Sequence, residues 1–377
     1  MRIAFFCDSY KPYLSGVTNS MELLVKELRE IGHRVFIFAP RYPNHTDTDP
    51  DIIRFPSLPT RYPKFRLALP YVNRVPEVDL IHCHSPFQVG LLARYFAHKI
   101  RVPFVYSFHT LFTRYVHYAR FIPEPLSKLG LVNYLRSFCR RTDCIVTPSE
   151  MARRVLRSFG VRNRIEVVPS GVDIAEVSRA GSQNSRLEIR RQFGIPEEAQ
   201  VLLYAGRISR EKNIPFLLRA FRHLSESLAS PLYLLLVGGG PLIEEIREKK
   251  IKNVALTGEI KYPEVLSYYS AGDIFVFSSL TETQGLVLAE AKSMGLPIVA
   301  LFAGGLVGTV RSGIDGYLTP RNLPRFNEHI KRLLEDDSLR LKLGHAARLD
   351  ALERFDSRHI AKRVETIYNS LTEGGST

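Results

Sequence analysis

Cysteine is scarce in this sequence, and its spacing excludes two kinds of small protein. The four cysteines are Cys7, Cys83, Cys139 and Cys144, and no two of them form a C-x-x-C pair. Neither a disulfide framework nor a structural zinc site is therefore predicted. The triplet 82–84 reads His-Cys-His, but alternate residues of a strand point to opposite faces, so only its two histidines share a face. We predict ordinary core and loop residues there and no metal.

Long apolar runs are missing as well. No stretch approaches the roughly 18 uncharged apolar residues that a membrane-spanning helix needs. The N-terminal MRIAFFCDSYKP is a short apolar run followed at once by charge and proline. That pattern predicts a first strand and not a signal peptide, so we expect a cytoplasmic protein.

Acidic residues are few in one half of the chain only. Residues 1–170 hold 25 Lys+Arg against 13 Asp+Glu, a net charge of +12, whereas residues 171–377 hold 27 against 25, a net charge of +2. Such asymmetry indicates that the first half faces a polyanion, with general solubility as the alternative. Anionic lipid, a phosphorylated substrate and nucleic acid are the candidates. Because the chain shows no helix-turn-helix, zinc-finger or aromatic-basic RNA pattern, nucleic acid is disfavoured.

What the sequence does contain is a regular alternation of short apolar runs and helical patterns. This alternation predicts parallel sheets wound by helices, and it restarts after a polar stretch, Ala175–Ser185. We predict two doubly wound, Rossmann-like α/β domains, 1–171 and 172–355, followed by a helix within 356–377 that packs back on the first domain. Ligands of such sheets bind beyond the carboxyl ends of the strands. Functional residues are therefore expected just after strands, in a cleft between the two domains.

Two motifs of the second domain follow predicted strands. Gly206 permits a tight turn in GRISREKN (206–213), and Arg207 and Lys212 bring two cations suited to a diphosphate. Glu282 and Glu290 flank the start of a helix at Gly285 and Leu286, whose free N–H groups attract phosphate or sugar oxygens. The alternatives are a solvated charged turn for the first motif and a solvated acidic helix end for the second.

Three glycine- or histidine-containing loops are weaker candidates. Gly238 begins a GGGP turn after a very apolar strand, where either a ligand or a plain strand-to-helix connection fits. Gly16 follows the first strand, and His109 follows the strand Phe104–Ser107. A histidine there can stabilise developing charge or bind a sugar hydroxyl. A lone histidine is more often structural.

Residues 115–141 form a basic segment rich in aromatics and leucines, with a single acid, Glu124. Such a segment can lie in a membrane interface, where each cation near anionic lipid contributes roughly 1 kcal/mol. A core-facing helix with a solvated basic face is the alternative. The cations assigned to membrane binding are Arg120, Lys128, Arg136, Arg140 and Arg141.

Taken together, these motifs resemble glycosyltransferase family 4, retaining nucleotide-sugar enzymes of the GT-B fold. The resemblance rests on Gly206–Asn213, which is similar to the family's G-R-x-x-x-E-K-N, and on Glu282–Glu290, which is similar to its E-x₇-E. Residues 167–173 and 295–299 also look like family segments. Ser15 and Gly308 depart from the pattern, because many members carry glycine and an acid at these positions.

The resemblance implies a role for each candidate. Arg207 and Lys212 would hold the donor diphosphate, Glu282 would contact the donor sugar, and Glu290 the ribose. His109 would lie beside the reacting sugar, and no metal would be required. The resemblance also implies donor binding at Gly16, Gly258, Ile260, Lys261, Gly285 and Leu286. We assign Gly206 and Gly238 to the donor site as well, from their glycine turns after strands.

Within that family the chain looks most like the diacylglycerol glucosyltransferases. The segments Ser15–Ser20, Phe108–Phe112, Tyr115–Tyr118 and Thr281–Lys292 carry this similarity. It implies a hexosyltransferase that moves glucose from UDP-glucose to diacylglycerol at the anionic inner face of a membrane. Another acceptor, such as phosphatidylinositol, a soluble sugar or a glycan, and a GDP-sugar donor stay open, and so does the oligomeric state.

Overall fold

The computed structural model describes residues 1–13, 15–60, 65–111 and 124–373. The chain divides into two compact units. Unit 1 consists of Met1–Gly171 together with Ser357–Thr377, and unit 2 of Val172–Asp356.

Each unit is built on a parallel sheet. The strands of unit 1 are β1 (Arg2–Phe6), β2 (Arg34–Pro40), β3 (Ile52–Phe55), β4 (Ser57–Pro59), β5 (Arg66–Ala68), β6 (Leu80–Cys83), β7 (Phe104–Ser107), β8 (Cys144–Thr147) and β9 (Ile165–Val167). Those of unit 2 are β10 (Gln200–Ala205), β11 (Leu232–Val237), β12 (Val254–Leu256), β13 (Ile274–Phe277), β14 (Ile298–Leu301) and β15 (Gly316–Thr319). Strands β4 and β5 form a small antiparallel pair of their own.

Helices separate most of the strands. In unit 1 they are α1 (Gly16–Glu30), α2 (Gln88–Ile100), α3 (Glu124–Cys139), α4 (Glu150–Ser158) and, at the end of the chain, α13 (Ser357–Thr372). In unit 2 they are α5 (Ile174–Ala180), α6 (Gln183–Gln192), α7 (Ile214–Ser227), α8 (Ile243–Glu248), α9 (Val265–Tyr269), α10 (Leu286–Ser293), α11 (Leu323–Glu335) and α12 (Asp337–Arg354). No helix of the described ranges is long and apolar enough to cross a membrane.

The strand orders locate the ligand-binding edge of each sheet. Unit 1 has the order β3-β2-β1-β6-β7-β8-β9 and unit 2 the order β12-β11-β10-β13-β14-β15. The order reverses between β1 and β6 in unit 1 and between β10 and β13 in unit 2. Loops on the two sides of a reversal diverge and leave a crevice at the carboxyl ends of the strands. The predicted doubly wound α/β architecture is confirmed.

Helix α13 belongs to unit 1 although it follows unit 2 in sequence. Its apolar face lies in the same buried cluster as β1, β2 and α1. Polar contacts add to this packing, since Ser357 Oγ donates a buried hydrogen bond of 2.7 Å to Glu27 Oε1. The side chains of α13 that are buried in this way include Ile360, Ala361, Val364, Ile367 and Tyr368.

A fully buried ion network supports α10 in unit 2. Lys292 Nζ lies 3.0 Å from Asp315 Oδ2 and also contacts Asp350 Oδ2, and all three side chains are 0% exposed. It donates a further bond of 2.8 Å to the Thr309 carbonyl. Arg311 reaches both carboxylates from the outside, each at 3.0 Å. A buried charge needs such complete pairing to offset its lost hydration.

Candidate functional site

The reversal point of unit 2 brings the two strongest sequence motifs together. The loop 206–213 follows β10, and the loop that carries Glu282 follows β13. Lys212 Nζ lies 2.5 Å from Glu282 Oε1, although 70 residues separate them in sequence. Their side chains are 21% and 16% exposed, so this ion pair is reachable from solvent but largely enclosed.

Hydrogen bonds from side chains to backbone carbonyls hold the two loops together. Ser278 Oγ donates to the Lys212 carbonyl at 2.8 Å, and Asn213 Nδ2 donates to the Ser278 carbonyl at 3.3 Å. Tyr204, which is buried in β10, donates from its hydroxyl to the Arg207 carbonyl at 3.1 Å. The Arg207 side chain itself is exposed on this loop. Two cations thus lie on one loop at the carboxyl edge, as the sequence predicts.

Helix α10 begins at the same edge. Gly285 caps it with φ of +75°, a conformation that favours glycine, and Leu286 is its first residue. The first N–H groups of any α-helix lack partners within the helix and carry the positive end of its dipole. Thr309 Oγ1 anchors the turn by donating to the Gln284 carbonyl at 3.0 Å. This edge therefore combines cations with a helix start, which is a favourable place for phosphate oxygens.

Glu290 is buried. The alternative interpretation of the sequence, a solvated carboxylate on an acidic helix, does not apply to it. It is 6% exposed and accepts a hydrogen bond of 2.5 Å from the Tyr269 hydroxyl of α9. Burial raises the pKa of the Glu290 carboxyl, and the bond from Tyr269 opposes that rise. Glu290 therefore contacts Tyr269, while Glu282 contacts Lys212.

The glycine turn after β11 has a steric explanation in the fold. A Cβ on Gly238 would lie 2.3 Å from the Gly206 carbonyl oxygen, because the two loops touch through their backbones. Gly238 also bridges to Gly258. These contacts bring three donor-binding candidates of the sequence, Gly206, Gly238 and Gly258, to the same edge of the sheet. Ile260 nearby packs against the core, and Lys261 is exposed.

In unit 1, His109 follows β7 and lies beside a second histidine. His84 Nδ1 and His109 Nε2 are 3.0 Å apart, and the two rings stack with centroids 5.3 Å apart. Burial lowers the pKa of His109 to about 4. Burial also holds the pKa of His84 well below its ordinary value, and His82 and His109 add to this effect. Both rings are thus neutral at physiological pH.

His82, on the same face as His84, is tied into the core. Its Nδ1 lies 2.6 Å from the Tyr368 hydroxyl of α13, and its Nε2 lies 2.8 Å from Ser107 Oγ. All three histidines line a cavity of about 40 Å³ inside unit 1, together with residues of α1 and α13. Gly16, the first residue of α1, is exposed at the same edge of the sheet, and Ser15 caps the helix by accepting from Thr18 N.

Sequence reasoning missed Asp8, which follows β1 at the reversal point of unit 1. Ser85 Oγ, just after β6, donates to Asp8 Oδ2 and so joins the two loops that flank the reversal. Burial raises the pKa of Asp8 to about 6, although the bond from Ser85 lowers it. The available signal was its position directly after the first strand, as with His109 after β7.

The predicted membrane-binding cations separate into two groups. Lys128, Arg140 and Arg141 are exposed on or just after α3, where Leu126 and Leu129 are 60% and 58% exposed. Arg136 differs from the expectation, because its guanidinium packs beneath Gly160 and is partly buried. Arg120 lies outside the described residues.

We found no group of three or more His, Cys, Asp or Glu side chains suited to a metal within the described residues. Cys83 faces away from its two neighbours and donates from Sγ to the Ser85 carbonyl at 2.7 Å. The rings of His82 and His84 instead pack against each other at a tilt of 33°, with centroids 4.3 Å apart.

Comparison with solved structures identifies the fold. HepE of Anabaena, solved in complex with UDP, matches 98% of this chain and 100% of its own with a TM-score of 0.77 at 20% identity. At this identity the likeness concerns the fold alone, which is the GT-B fold of glycosyltransferases.

Sequence comparisons define the family. The model for glycosyl transferases group 1 matches residues 185–350, and that for Glycosyltransferase Family 4 matches residues 14–176. The α-monoglucosyldiacylglycerol synthase of Streptococcus pneumoniae is 34% identical over 80% of this chain and 71% of its own length. The enzyme of the same name from Acholeplasma laidlawii is 28% identical over 99% and 98%. The chain therefore belongs to glycosyltransferase family 4, and it is a hexosyltransferase.

Proposed function

We propose that the protein transfers glucose from UDP-glucose to diacylglycerol with retention of anomeric configuration, at the surface of an anionic membrane. The observation that carries the proposal is the Lys212–Glu282 pair beside the start of α10. A cation, a carboxylate and a helix N-terminus at one sheet edge suit a ligand that carries both a diphosphate and sugar hydroxyls.

The chemistry assigns a task to each group. The bond between the anomeric carbon and the β-phosphate oxygen breaks, and a bond from the acceptor hydroxyl oxygen to the same carbon forms. Arg207, Lys212 and the dipole of α10 stabilise the negative charge that develops on the departing diphosphate. Glu282 accepts hydrogen bonds from the sugar, and the proton of the acceptor hydroxyl passes to a leaving phosphate oxygen. No metal enters this scheme.

The lipid acceptor is supported by the names of the relatives and by the surface of α3. Both relatives are, by name, synthases of monoglucosyldiacylglycerol, which is a glycolipid built on diacylglycerol. Exposed leucines flank Lys128 near the start of α3, and the exposed Arg140 and Arg141 follow its end, so unit 1 offers both apolar contact and positive charge along this helix. We expect peripheral binding to a membrane through this surface.

The first experiment tests the diphosphate site. We expect Lys212→Ala to lower kcat at least about a hundredfold, because a preorganised cation at a leaving group typically contributes this much. Arg210→Ala is the matched control, since Arg210 lies on the same loop but pairs with Glu245 at 3.2 Å. Transfer by Lys212→Ala at the wild-type rate would refute the assignment.

A second experiment identifies the substrates. The protein is incubated with UDP- and GDP-sugars, and thermal stabilisation and acceptor-free hydrolysis are measured for each. The preferred donor is then offered with diacylglycerol, phosphatidylinositol and a soluble sugar, and the product anomer is determined by NMR. An α-glucoside of diacylglycerol is expected. Transfer to phosphatidylinositol alone would show that phosphatidylinositol, and not diacylglycerol, is the acceptor. The assignment as a hexosyltransferase would stand.

A further inference from the structure

The small antiparallel hairpin of unit 1 has two different faces. Strands β4 and β5 pair with Leu58 opposite Leu67 and with Ser57 opposite Ala68. Residues directly opposite each other in an antiparallel pair lie on the same face, and successive residues of a strand alternate between faces. Leu58 and Leu67 therefore share one face of the hairpin, and Ser57 and Ala68 share the other.

The face of Ala68 is attached to unit 1. Ala68 is 4% exposed and lies in the same buried cluster as Phe55 and Ile81. Arg66 joins the two strands, since its Nε donates to Ser57 Oγ at 2.7 Å and its Nη2 donates to the Ser57 carbonyl at 2.9 Å. The hairpin is thus fixed on unit 1, and its outer face, which carries Leu58 and Leu67, has a defined orientation.

The outer face is apolar and open to solvent. Leu58 and Leu67 are 48% and 39% exposed. Leu69 continues this face, because its N–H donates to the Pro56 carbonyl at 2.8 Å and so extends the pairing, and it is 42% exposed. Tyr71 follows two residues later and is 72% exposed. A sheet with one face in water ordinarily has polar residues on that face. A cluster of exposed apolar side chains instead indicates a surface that contacts another molecule.

The charge around the hairpin indicates which kind of molecule. Residues 55–76 contain four Lys or Arg and no Asp or Glu. A symmetric contact with a second copy would bring these positive charges against each other, which disfavours that partner. An anionic bilayer matches both features of the surface. Its headgroups attract cations, and the boundary between headgroups and acyl chains accepts leucine and tyrosine side chains.

We propose that Leu58, Leu67, Leu69 and Tyr71 insert into the interfacial layer of an anionic bilayer, so that the hairpin is a second membrane contact of unit 1 besides the surface of α3. The inference deepens the proposed function and rests on it in one respect, because a lipid acceptor requires the protein to work at a membrane surface. Two contacts on one unit also restrict its rotation on that surface more than a single contact does.

The direct test uses tryptophan fluorescence of the full-length protein. The chain contains no tryptophan, so Leu67→Trp introduces a unique reporter on the outer face. We expect its emission to shift to shorter wavelength with vesicles of phosphatidylglycerol and phosphatidylcholine, and to be quenched when the acyl chains are brominated. Leu341→Trp is the matched control, since Leu341 is 70% exposed on α12 of unit 2, and its emission should stay that of a solvated indole. No shift for Leu67→Trp, or equal shifts for both variants, would overturn the proposal.

Vesicle affinity provides an independent measurement. We expect the variant with Leu58→Ser, Leu67→Ser and Leu69→Ser to bind the same vesicles at least about tenfold more weakly, because less apolar surface enters the bilayer. Its thermal unfolding should match that of the wild type, since the outer face is not packed within unit 1. The control changes three exposed leucines of α12 to serine, namely Leu341, Leu349 and Leu352. Equal affinity of the wild type and the hairpin variant would contradict insertion.

Two further outcomes separate this inference from its alternatives. Sedimentation velocity without lipid should give the same mass for the wild type and the hairpin variant. A wild-type dimer that the variant loses would assign the outer face to a second copy and overturn the proposal. None of these measurements needs turnover. An enzyme that glucosylates only a soluble sugar, yet inserts the hairpin into vesicles, would refute the lipid acceptor and leave the membrane contact in place.

Discussion

Asp8 is a buried carboxyl of unit 1 whose ionisation near neutral pH should affect the stability of the fold. Its carboxyl accepts from Ser85 through Oδ2, and its Oδ1 has no partner among the described residues. Burial therefore raises its pKa to about 6, above the value of roughly 4 in an unfolded chain. A group with a raised pKa favours the folded state below its unfolded pKa. That contribution is lost as the pH rises through the folded pKa.

The corresponding prediction concerns Asp8→Asn. The amide cannot ionise, and its oxygen can still accept from Ser85. We expect the variant to be more stable than the wild type by about 1–3 kcal/mol at pH 8, and the difference to disappear below about pH 4. Urea denaturation across this pH range measures the effect. A constant difference at all pH values would exclude ionisation of Asp8 as its cause.

Single residues were predictable where a motif marked them. Arg207, Lys212 and Glu282 follow strands within recognisable motifs, and the structure places them at one sheet edge. The contact of His84 with His109 was not predictable, because it depends on the pairing of β6 with β7. The packing of Arg136 beneath Gly160 likewise depends on where α4 ends.

At the scale of elements, two sets of contacts hold α10. The ion pairs of Lys292 hold its last turn, and the segment 303–309 contacts the loop that precedes its first residue. A buried lysine between two carboxylates specifies one position of the helix, because any other position would leave a charge unpaired. The position of α10 in turn fixes Gly285 and the loop that carries Glu282.

Removing one carboxylate of this network should be costly. We expect Asp350→Ala to lower the free energy of unfolding by about 3–5 kcal/mol, since it leaves buried Lys292 with a single full counter-charge. Asp337→Ala is the matched control, because Asp337 is 75% exposed and pairs with Arg340 on the surface. That change should cost less than about 1 kcal/mol. Chemical denaturation measures both, and similar losses would refute the role of the network.

Substitutions of two glycines test whether the segment 303–309 supports the start of α10. A Cβ on Gly305 would lie 2.1 Å from the Glu282 carbonyl oxygen, whereas a Cβ on Gly308 would meet nothing within 4 Å. We expect Gly305→Ala to displace the Glu282 loop and to lower kcat/KM about tenfold or more, since small misplacements of a site are costly. Gly308→Ala should retain the wild-type rate. Equal rates for the two variants would show that this contact does not hold the loop.

Most elements followed from the sequence because apolar strands and helical periodicity alternate so regularly. The strand pairing order did not follow, since it depends on crossovers that local patterns do not encode. The backbone contact of Gly238 with Gly206 is an example, because it requires β11 to lie beside β10.

At the scale of the whole molecule, the basic first half should govern contact with membranes. We expect the variant with Lys128→Glu, Arg140→Glu and Arg141→Glu to bind anionic vesicles at least about a hundredfold more weakly, at roughly 1 kcal/mol for each cation removed. Sedimentation at low and high salt measures the binding. A variant with Arg191, Arg219 and Arg222 changed to Glu carries the same charge change on exposed positions of unit 2. If both variants bind the vesicles equally weakly, binding depends on the net charge of the protein and not on the surface of α3.

The apolar face of α13 completes the core of unit 1. We expect Val364→Asp to lower the free energy of unfolding by more than about 3 kcal/mol, because Val364 is 2% exposed and an unpaired carboxylate would replace it. Lys362→Asp places the same side chain on the solvent face of the helix and should cost under about 1 kcal/mol. Comparable losses would mean that the packing of α13 contributes little.

The return of the chain to unit 1 at Ser357 makes unit 2 an insertion within it. During synthesis on the ribosome, every residue of unit 2 emerges before the helix that unit 1 still lacks. Unit 2 can therefore fold first. Until α13 emerges, the apolar face of α1 that packs against it stays exposed to solvent. Nascent chains halted before Ser357 should bind chaperones through that face and release them once α13 has emerged.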